Sequence, residues 1–193
     1  MKERPIIFNT ELVKAILAGQ KTQSRRVIKP QPVLGRHWKH GWVVDPAEVD
    51  IPIAFCPYGI PGDSLWVREI FYIWQAAYLG HPEQRPIAYA EETERMNREP
   101  EGTWKKRPSI FMPRWASRIT LEITGVCVEQ LQDISEEDAA AEGVNPIIAG
   151  SGHLKEHWHR AAFGVLWDDL NAKRGLGWDT NPWVWRIEFR QAE

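Results

Sequence analysis

Cysteine is nearly absent from this chain. Cys56 and Cys127 are its only two among 193 residues, far apart and without C-x-x-C spacing. That argues against a disulfide framework and for a reducing, cytoplasmic setting. Long hydrophobic runs are missing as well: no stretch reaches the roughly 18 apolar residues a membrane-crossing helix needs. The chain opens Met1-Lys2-Glu3-Arg4-Pro5 without the apolar core of a secretory signal. It carries no internal repeat and no low-complexity tract. The expectation is a soluble protein with no membrane partner. What is present suffices for a core: 43% of the residues are hydrophobic, enough to fold without staples, in a length that fits one domain, 1–193.

Charge is scarce only in the sum. The net value of −2 hides a basic N-terminal segment, since residues 1–40 hold nine Lys/Arg against two acids. A local basic face in a near-neutral protein points to a local anionic partner rather than to wholesale coating of DNA, although a solvated basic face gives the same count. Tryptophan is abundant, with eleven residues. Such rings either fill the core or serve as stacking platforms for bases, and composition does not separate the two.

The organising stretch is Leu17-Ala18-Gly19-Gln20-Lys21-Thr22-Gln23-Ser24-Arg25-Arg26. Before it, Ile6-Ile7-Phe8 reads as a short strand, Asn9 or Thr10 as an N-cap, and Leu12, Val13, Ile16 and Leu17 as one helical face closed by Gly19. After the turn, residues 21–29 fit an edge strand ending at Pro30. Hydroxyls beside an amine and two guanidiniums suit an anionic or nucleotide-like ligand. Residues 30–61 are punctuated by Pro and Gly, with a hairpin expected around Trp38–Val44. Residues 64–72 read as one central strand. Residues 75–108 read as a polar excursion carrying a short helix, and 119–128 as a strand with Ile119, Leu121 and Ile123 on one face. Ser135 to Asp138 matches a capping box with Asp for the usual Glu, opening a helix that ends at Gly143. A longer helix is expected from about His153 to Asn171, burying Trp158, Ala162, Leu166 and Leu170. The last strand, 183–190, places Trp183, Trp185, Ile187 and Phe189 on one face. The pattern predicts an α+β fold around a small, mostly antiparallel β-barrel with short flanking helices and two loop-rich insertions.

With these elements in order, the chain resembles the ASCH domain family. The resemblance rests on Ile16-Leu17-Ala18-Gly19-Gln20-Lys21-Thr22, on Gly62-Asp63-Ser64-Leu65-Trp66-Val67-Arg68-Glu69, and on the ordered strand, acidic helix (Ala141-Glu142-Gly143) and terminal strand that follow. Arg25-Arg26 and the segment Met112 to Arg118 are similar to a phage and prophage branch. The resemblance implies a PUA-like barrel, with insertions at about 30–60 and 75–108, and a cleft between barrel and first helix that binds RNA, DNA or a modified nucleoside. One related bacterial branch is an amidohydrolase that removes the acetyl group from N4-acetylcytidine. Its lysine, its threonine three residues on and its glutamate ending the acidic helix correspond here to Lys21, Ser24 and Glu142, the serine keeping the hydroxyl. Thr22, in the same Lys-Thr motif, is a ligand-contact candidate. No cofactor and no metal are implied.

Amide hydrolysis needs a nucleophile, a proton acceptor and oxyanion stabilisation. Lys21 can be a base if burial and the neighbouring Arg25 and Arg26 lower its pKa. On a regular strand Ser24 points away from Lys21, so a bulge or turn is required between them. The alternative is that Lys21 and Ser24 simply contact a ligand or cap a turn. Arg25, Arg26, Arg114 and Arg118 are candidates for phosphate contacts. Arg68-Glu69 is either a strand salt bridge or a base reader, and Trp66 and Trp115 either stack a base or fill the core. His153 and His157 have i, i+4 spacing but no further ligands, so no metal site is assigned. Cys127 reads as a buried small hydrophobe. The expected function is nucleic-acid or nucleoside binding in a basic cleft, the alternative deacylation of N4-acylated cytidine. Further alternatives are a ribonuclease, for which no motif is present, and a phage accessory or morphogenesis protein working through protein contacts.

Overall fold

Alternating and helical apolar patterns build the elements in the expected order, with several boundaries moved. A computed structural model describes residues 1–32, 52–75, 85–90, 92, 96–98, 104–149 and 156–192. The elements are β1 (Glu3–Ile7), α1 (Thr10–Leu17), β2 (Gln23–Val27), β3 (Ser64–Arg68), β4 (Phe71–Trp74), β5 (Ile87–Tyr89), β6 (Trp104–Arg107), β7 (Thr120–Gln130), α2 (Glu136–Ala141), β8 (Ile147–Ala149), β9 (Glu156–Trp158), α3 (His159–Asn171) and β10 (Trp183–Gln191). No helix among the described residues is long and apolar enough to cross a membrane.

The main sheet has the order β1-β3-β7-β10-β2. Only β1 and β3 run parallel; every other ladder in it is antiparallel. The mixed α+β, mostly antiparallel architecture is therefore present, but the expected barrel does not close. β1 and β2 are the outer strands and share no ladder. Instead the Arg26 guanidinium on β2 donates to the Ile7 carbonyl on β1 at 2.7 Å. α1 follows β1 directly and buries Val13 and Ile16 in the same cluster as Ile6, Leu65, Ile187 and Phe189, so a helix rather than a strand pair covers that face. Each such side chain contributes about 1.5–3 kcal/mol by leaving water.

α1 starts where expected. The Asn9 side chain accepts the Leu12 N–H, and Gly19 follows the helix at φ +71°, a conformation that favours glycine. β2 lies at the sheet edge, as its polar sequence predicted. β7 and β10 carry the longest ladder, with a bulge at Glu188/Phe189 opposite Ile123 and Gly125. The extra residue keeps Ile123 and Val126 on one face although they are three apart. On β10, Trp185, Ile187 and Phe189 enter the first cluster, while Val184 points the other way. There it joins Leu131, Ile134, Ala139, Phe163 and Trp167 beneath α2 and α3.

Three expectations change. Residues 64–72 form two strands in different sheets, because the chain turns at Glu69-Ile70. The 75–108 excursion supplies β5 and β6, which pair with β4 in a separate three-stranded sheet over a cluster of Phe71, Met112 and Ala116. The helix expected from His153 begins only at His159. Trp158 and His157 are held in the β8–β9 ladder, and Glu136 Oε2 accepts the N–H groups of His159 and Arg160, which sets the helix start. The buried face of α3 is Phe163 and Trp167, whereas Trp158 and Leu170 are 44% and 51% exposed. The hairpin expected around Trp38–Val44 and the residue His153 lie outside the described residues.

The turn into β3 is held by Asp63, which accepts the Lys2 N–H at 2.7 Å and the Arg4 guanidinium at 2.8 Å. These bonds, the backbone one first, hold its carboxyl down to about 2. A depressed carboxylate stabilises the fold above its ordinary value and loses that contribution as pH falls toward the folded value. Asp63→Asn is expected to lower the Tm at neutral pH, with the gap to wild type closing between pH 4 and 2. A gap that stays constant across that range would contradict the assignment.

Candidate functional site

Lys21 precedes β2 rather than lying on it. Its backbone bridges Glu142 at the end of α2, and the Thr22 N–H donates to the Ala141 carbonyl at 2.8 Å. The chain is thus out of strand alternation between Lys21 and Ser24, which supplies the irregularity their shared orientation requires. Lys21 Nζ donates to Glu142 Oε2 at 2.7 Å, to the Glu142 carbonyl at 2.8 Å and to the Gln23 carbonyl at 2.7 Å. All three ammonium protons are used. The two side chains are 1% and 5% exposed. Burial pulls the Lys21 amine below its ordinary value; Glu142 opposes the shift, and Arg26 and Arg25 add to it. Gly143 makes the approach possible: it has φ +77°, and a Cβ there would sit 2.7 Å from Lys21 Cβ and 2.8 Å from Ala15 Cβ.

The register of β2 on β10 sorts the next residues. Ser24 pairs with Ile187 and Arg26 with Trp185, which puts both on the inner face. Arg25 pairs with Arg186 on the other face. The Arg25 side chain is fully buried and bonds Glu129 at 2.6 Å, Asp138 at 3.0 Å and Glu142 at 3.2 Å, with the Gln23 amide oxygen at 3.3 Å. A guanidinium so engaged is not offered to a phosphate. Arg25 instead clamps α2 to β2 and β7, a correction to its expected ligand role. The network continues through Arg186, whose guanidinium reaches Glu129 and Asp138. Burial pushes Glu129 up, against the pull of Arg25 and Arg186.

A cleft of about 690 Å³ opens on this junction. Lys21, Ser24, Arg25, Arg26 and Glu142 line it, together with an apolar wall that includes Phe8, Tyr58, Leu166 and Trp167, and the cations Lys29 and Arg174. Ser24 is buried, and its hydroxyl has no hydrogen-bond partner among the described residues. Arg26 lies over the Phe8 ring at 5.0 Å and the Tyr58 ring at 6.0 Å. Its Nε is buried without a hydrogen-bond partner among the described residues. Desolvation pulls its pKa down.

The remaining candidates lie elsewhere. Thr22 is exposed and engaged through its backbone. Arg114 makes a two-pronged pair with Glu3 at 3.0 Å. Arg118 makes another with the buried Glu69, at 2.9 and 3.0 Å, while lying over the Tyr89 ring at 3.9 Å. Arg68 stacks on Trp66 at 4.6 Å; Trp66 is buried and Trp115 is 39% exposed. None of these seven lines the cleft. Glu69 is thus in a salt bridge, but with Arg118 rather than with its neighbour Arg68; Arg114 and Arg118, expected at a phosphate, face carboxylates instead, and Trp66 fills the core. Cys127 is only half-buried, and burial raises its thiol.

Several cleft residues carried no local signal. Leu166 and Leu170 were read as core, yet they face the cleft. Asp138 did carry one: as an Asp at N3 of a capping box it does not return to the cap but bonds Arg25 and Gln23.

No family model matches the chain, and no curated protein matches it. Among solved structures it is similar to a high-resolution crystal structure of an ASCH domain from Lactobacillus crispatus JV V101. That likeness has 14% identity and a TM-score of 0.42, over 98% of this chain and 79% of the other. At that distance no residue role is transferred.

Removing one member of a buried ion pair strands the other charge. Glu142→Gln is expected to destabilise the fold by about 3–5 kcal/mol in urea denaturation. The double variant Lys21→Met/Glu142→Gln is expected to recover part of that. A single-variant loss under about 1 kcal/mol would match an exposed pair instead.

Proposed function

We propose that this cleft binds a nucleotide, free or within RNA or DNA, with the base against the apolar wall and the phosphate on the cationic rim. The observation that carries the reading is Arg26: a guanidinium stacked over two rings at the cleft wall, with a buried N–H that no group among the described residues satisfies. Buried polar groups are ordinarily paired, and an incoming acceptor would satisfy this one. The volume suits a nucleotide-sized ligand, and Lys29 and Arg174 add charge at the same opening. The resemblance to ASCH domains points the same way, and we extend it to a single ASCH-like domain over 1–193.

The amidohydrolase reading is favoured by one further observation. Ser24, whose hydroxyl has no partner among the described residues, and the Lys21–Glu142 pair line the same cleft. In that reaction Lys21 first passes a proton to bulk water, which its burial assists. It then takes the proton of the Ser24 hydroxyl as Oγ bonds to the acyl carbon. Breaking the C–N bond returns that proton to the leaving amine. Water then bonds to the acyl carbon, giving its proton to Lys21, and the C–Oγ bond breaks as that proton passes to Ser24 Oγ and the carboxylic acid leaves. Glu142 holds the Lys21 amine in place. No observation favours the ribonuclease or phage-accessory readings.

Binding of cytidine 5′-monophosphate, read by tryptophan fluorescence, is expected to weaken by about tenfold in Arg26→Gln and to weaken with added salt, since phosphate contacts release counterions. Salt-independent binding, or full affinity in Arg26→Gln, would contradict the reading. Cytidine release from N4-acetylcytidine that is lost in Ser24→Ala and in Lys21→Ala would establish the hydrolase; no turnover by wild type would remove it and leave the binding site standing.

A further inference from the structure

The 75–108 segment offers a charged strand that the cleft reading leaves unused. On β6, Lys105 and Lys106 are exposed and Arg107 is half-buried. None of the three side chains forms an ion pair or a hydrogen bond among the described residues. This contrasts with Arg25, Arg114, Arg118 and Arg186, which all face carboxylates. A run of like charge is by itself a solvated face, but two further features adjoin this one. The turn after β6, Ser109–Phe111, leaves Ile110 60% and Phe111 70% exposed. Beneath it Arg68 donates to the Ile110 carbonyl at 3.3 Å, while its own Nε is buried without a partner.

The position of this strip follows from the chain. Ser109 and Ile70 line the cleft, and Phe71 pairs with Arg107. Ser109 lies two positions after Arg107, at most about 7 Å of extended backbone. From the cleft-lining Ser109 the chain therefore runs one way to the exposed Phe111 ring and the other way to three cations that are unpaired among the described residues, Lys105 and Arg107 on one face of β6 and Lys106 on the other. Aromatic platforms beside a basic track are the combination that holds single-stranded nucleic acid, the rings stacking bases and the cations following the backbone.

We infer that the ligand is a single-stranded nucleic acid longer than one nucleotide, seated with one nucleotide in the cleft and its neighbours on Phe111 and the Lys105-Lys106-Arg107 strand. This rests on the cleft reading and assigns the insertion sheet a role in length selection.

The test compares cytidine 5′-monophosphate with oligocytidylate and oligodeoxycytidylate of about eight residues, a span within the reach of such sites. The variants are Arg26→Gln, Phe111→Ala and Lys105→Gln/Lys106→Gln/Arg107→Gln, each checked for folding by circular dichroism. Wild type is expected to bind an oligomer at least tenfold more tightly than the mononucleotide. The triple variant should lose that advantage, with the salt slope of oligomer binding reduced by about 2, while keeping mononucleotide affinity. Phe111→Ala should lose about tenfold on the oligomer alone. Arg26→Gln should lose both ligands. The RNA and DNA arms identify which polymer is preferred. Oligomer binding unchanged in the triple variant, or an oligomer bound no more tightly than the mononucleotide, would overturn the inference with mononucleotide binding intact. Loss of all binding in wild type would overturn the cleft reading with it.

Discussion

The buried pair of Lys21 and Glu142 is the constraint on which the cleft depends. A charge held away from water is unfavourable unless its partner and its remaining protons are satisfied. Here the ammonium has three acceptors and the carboxylate has two cationic neighbours, Lys21 and Arg25. That requirement fixes the end of α2 against the segment entering β2, residues separated by 121 positions in sequence. It also places Ser24 and Arg26 on the inner face while Arg25, on the opposite face, is buried among Glu129, Asp138 and the shared Glu142. Consecutive residues of one strand thus divide the work: one joins the elements, and its neighbours look into the cleft.

Much of this was legible locally. The Asn9 cap, the Gly19 stop, the edge character of β2 and the paired faces of β7 and β10 all follow from short-range patterns. The convergence of Lys21, Ser24 and Glu142 on one cleft came through the family resemblance, since periodicity alone set Ser24 against Lys21. What was not legible depended on partners far along the chain. Arg25 looked like Arg26 in sequence. Only Glu129, Asp138 and Glu142, arriving from β7 and α2, make it a clamp. The face of α3 was misassigned because Leu166 and Leu170 are apolar for the sake of a cleft wall, a role that helical spacing does not distinguish from core. Glu69 sits at a sheet boundary hidden inside what reads as one continuous strand, and its partner Arg118 lies 49 positions further along the chain.

The basic N-terminal segment is resolved into different uses. Lys21 and Arg25 are internal, Arg4 secures a turn through Asp63, and Arg26 and Lys29 are left to the cleft. The anionic partner proposed for the cleft would therefore meet few of those cations. Further positive charge comes from Arg174 after α3 and from β6 within the 75–108 segment. The cleft thus has a floor held by buried ion pairs, with Lys29 and Arg174 lining it outside that network.

The central claim is that the ligand enters at this junction rather than at the groove beneath Trp158 and Trp178 on the far side of α3. An NMR titration of the labelled protein with cytidine 5′-monophosphate tests it directly. The account predicts shifts concentrated at Phe8, Ser24, Arg26 and the Trp167 indole. Shifts confined to Trp158, Gly164 and Trp178, with the Ser24 and Arg26 amides unmoved, would contradict it.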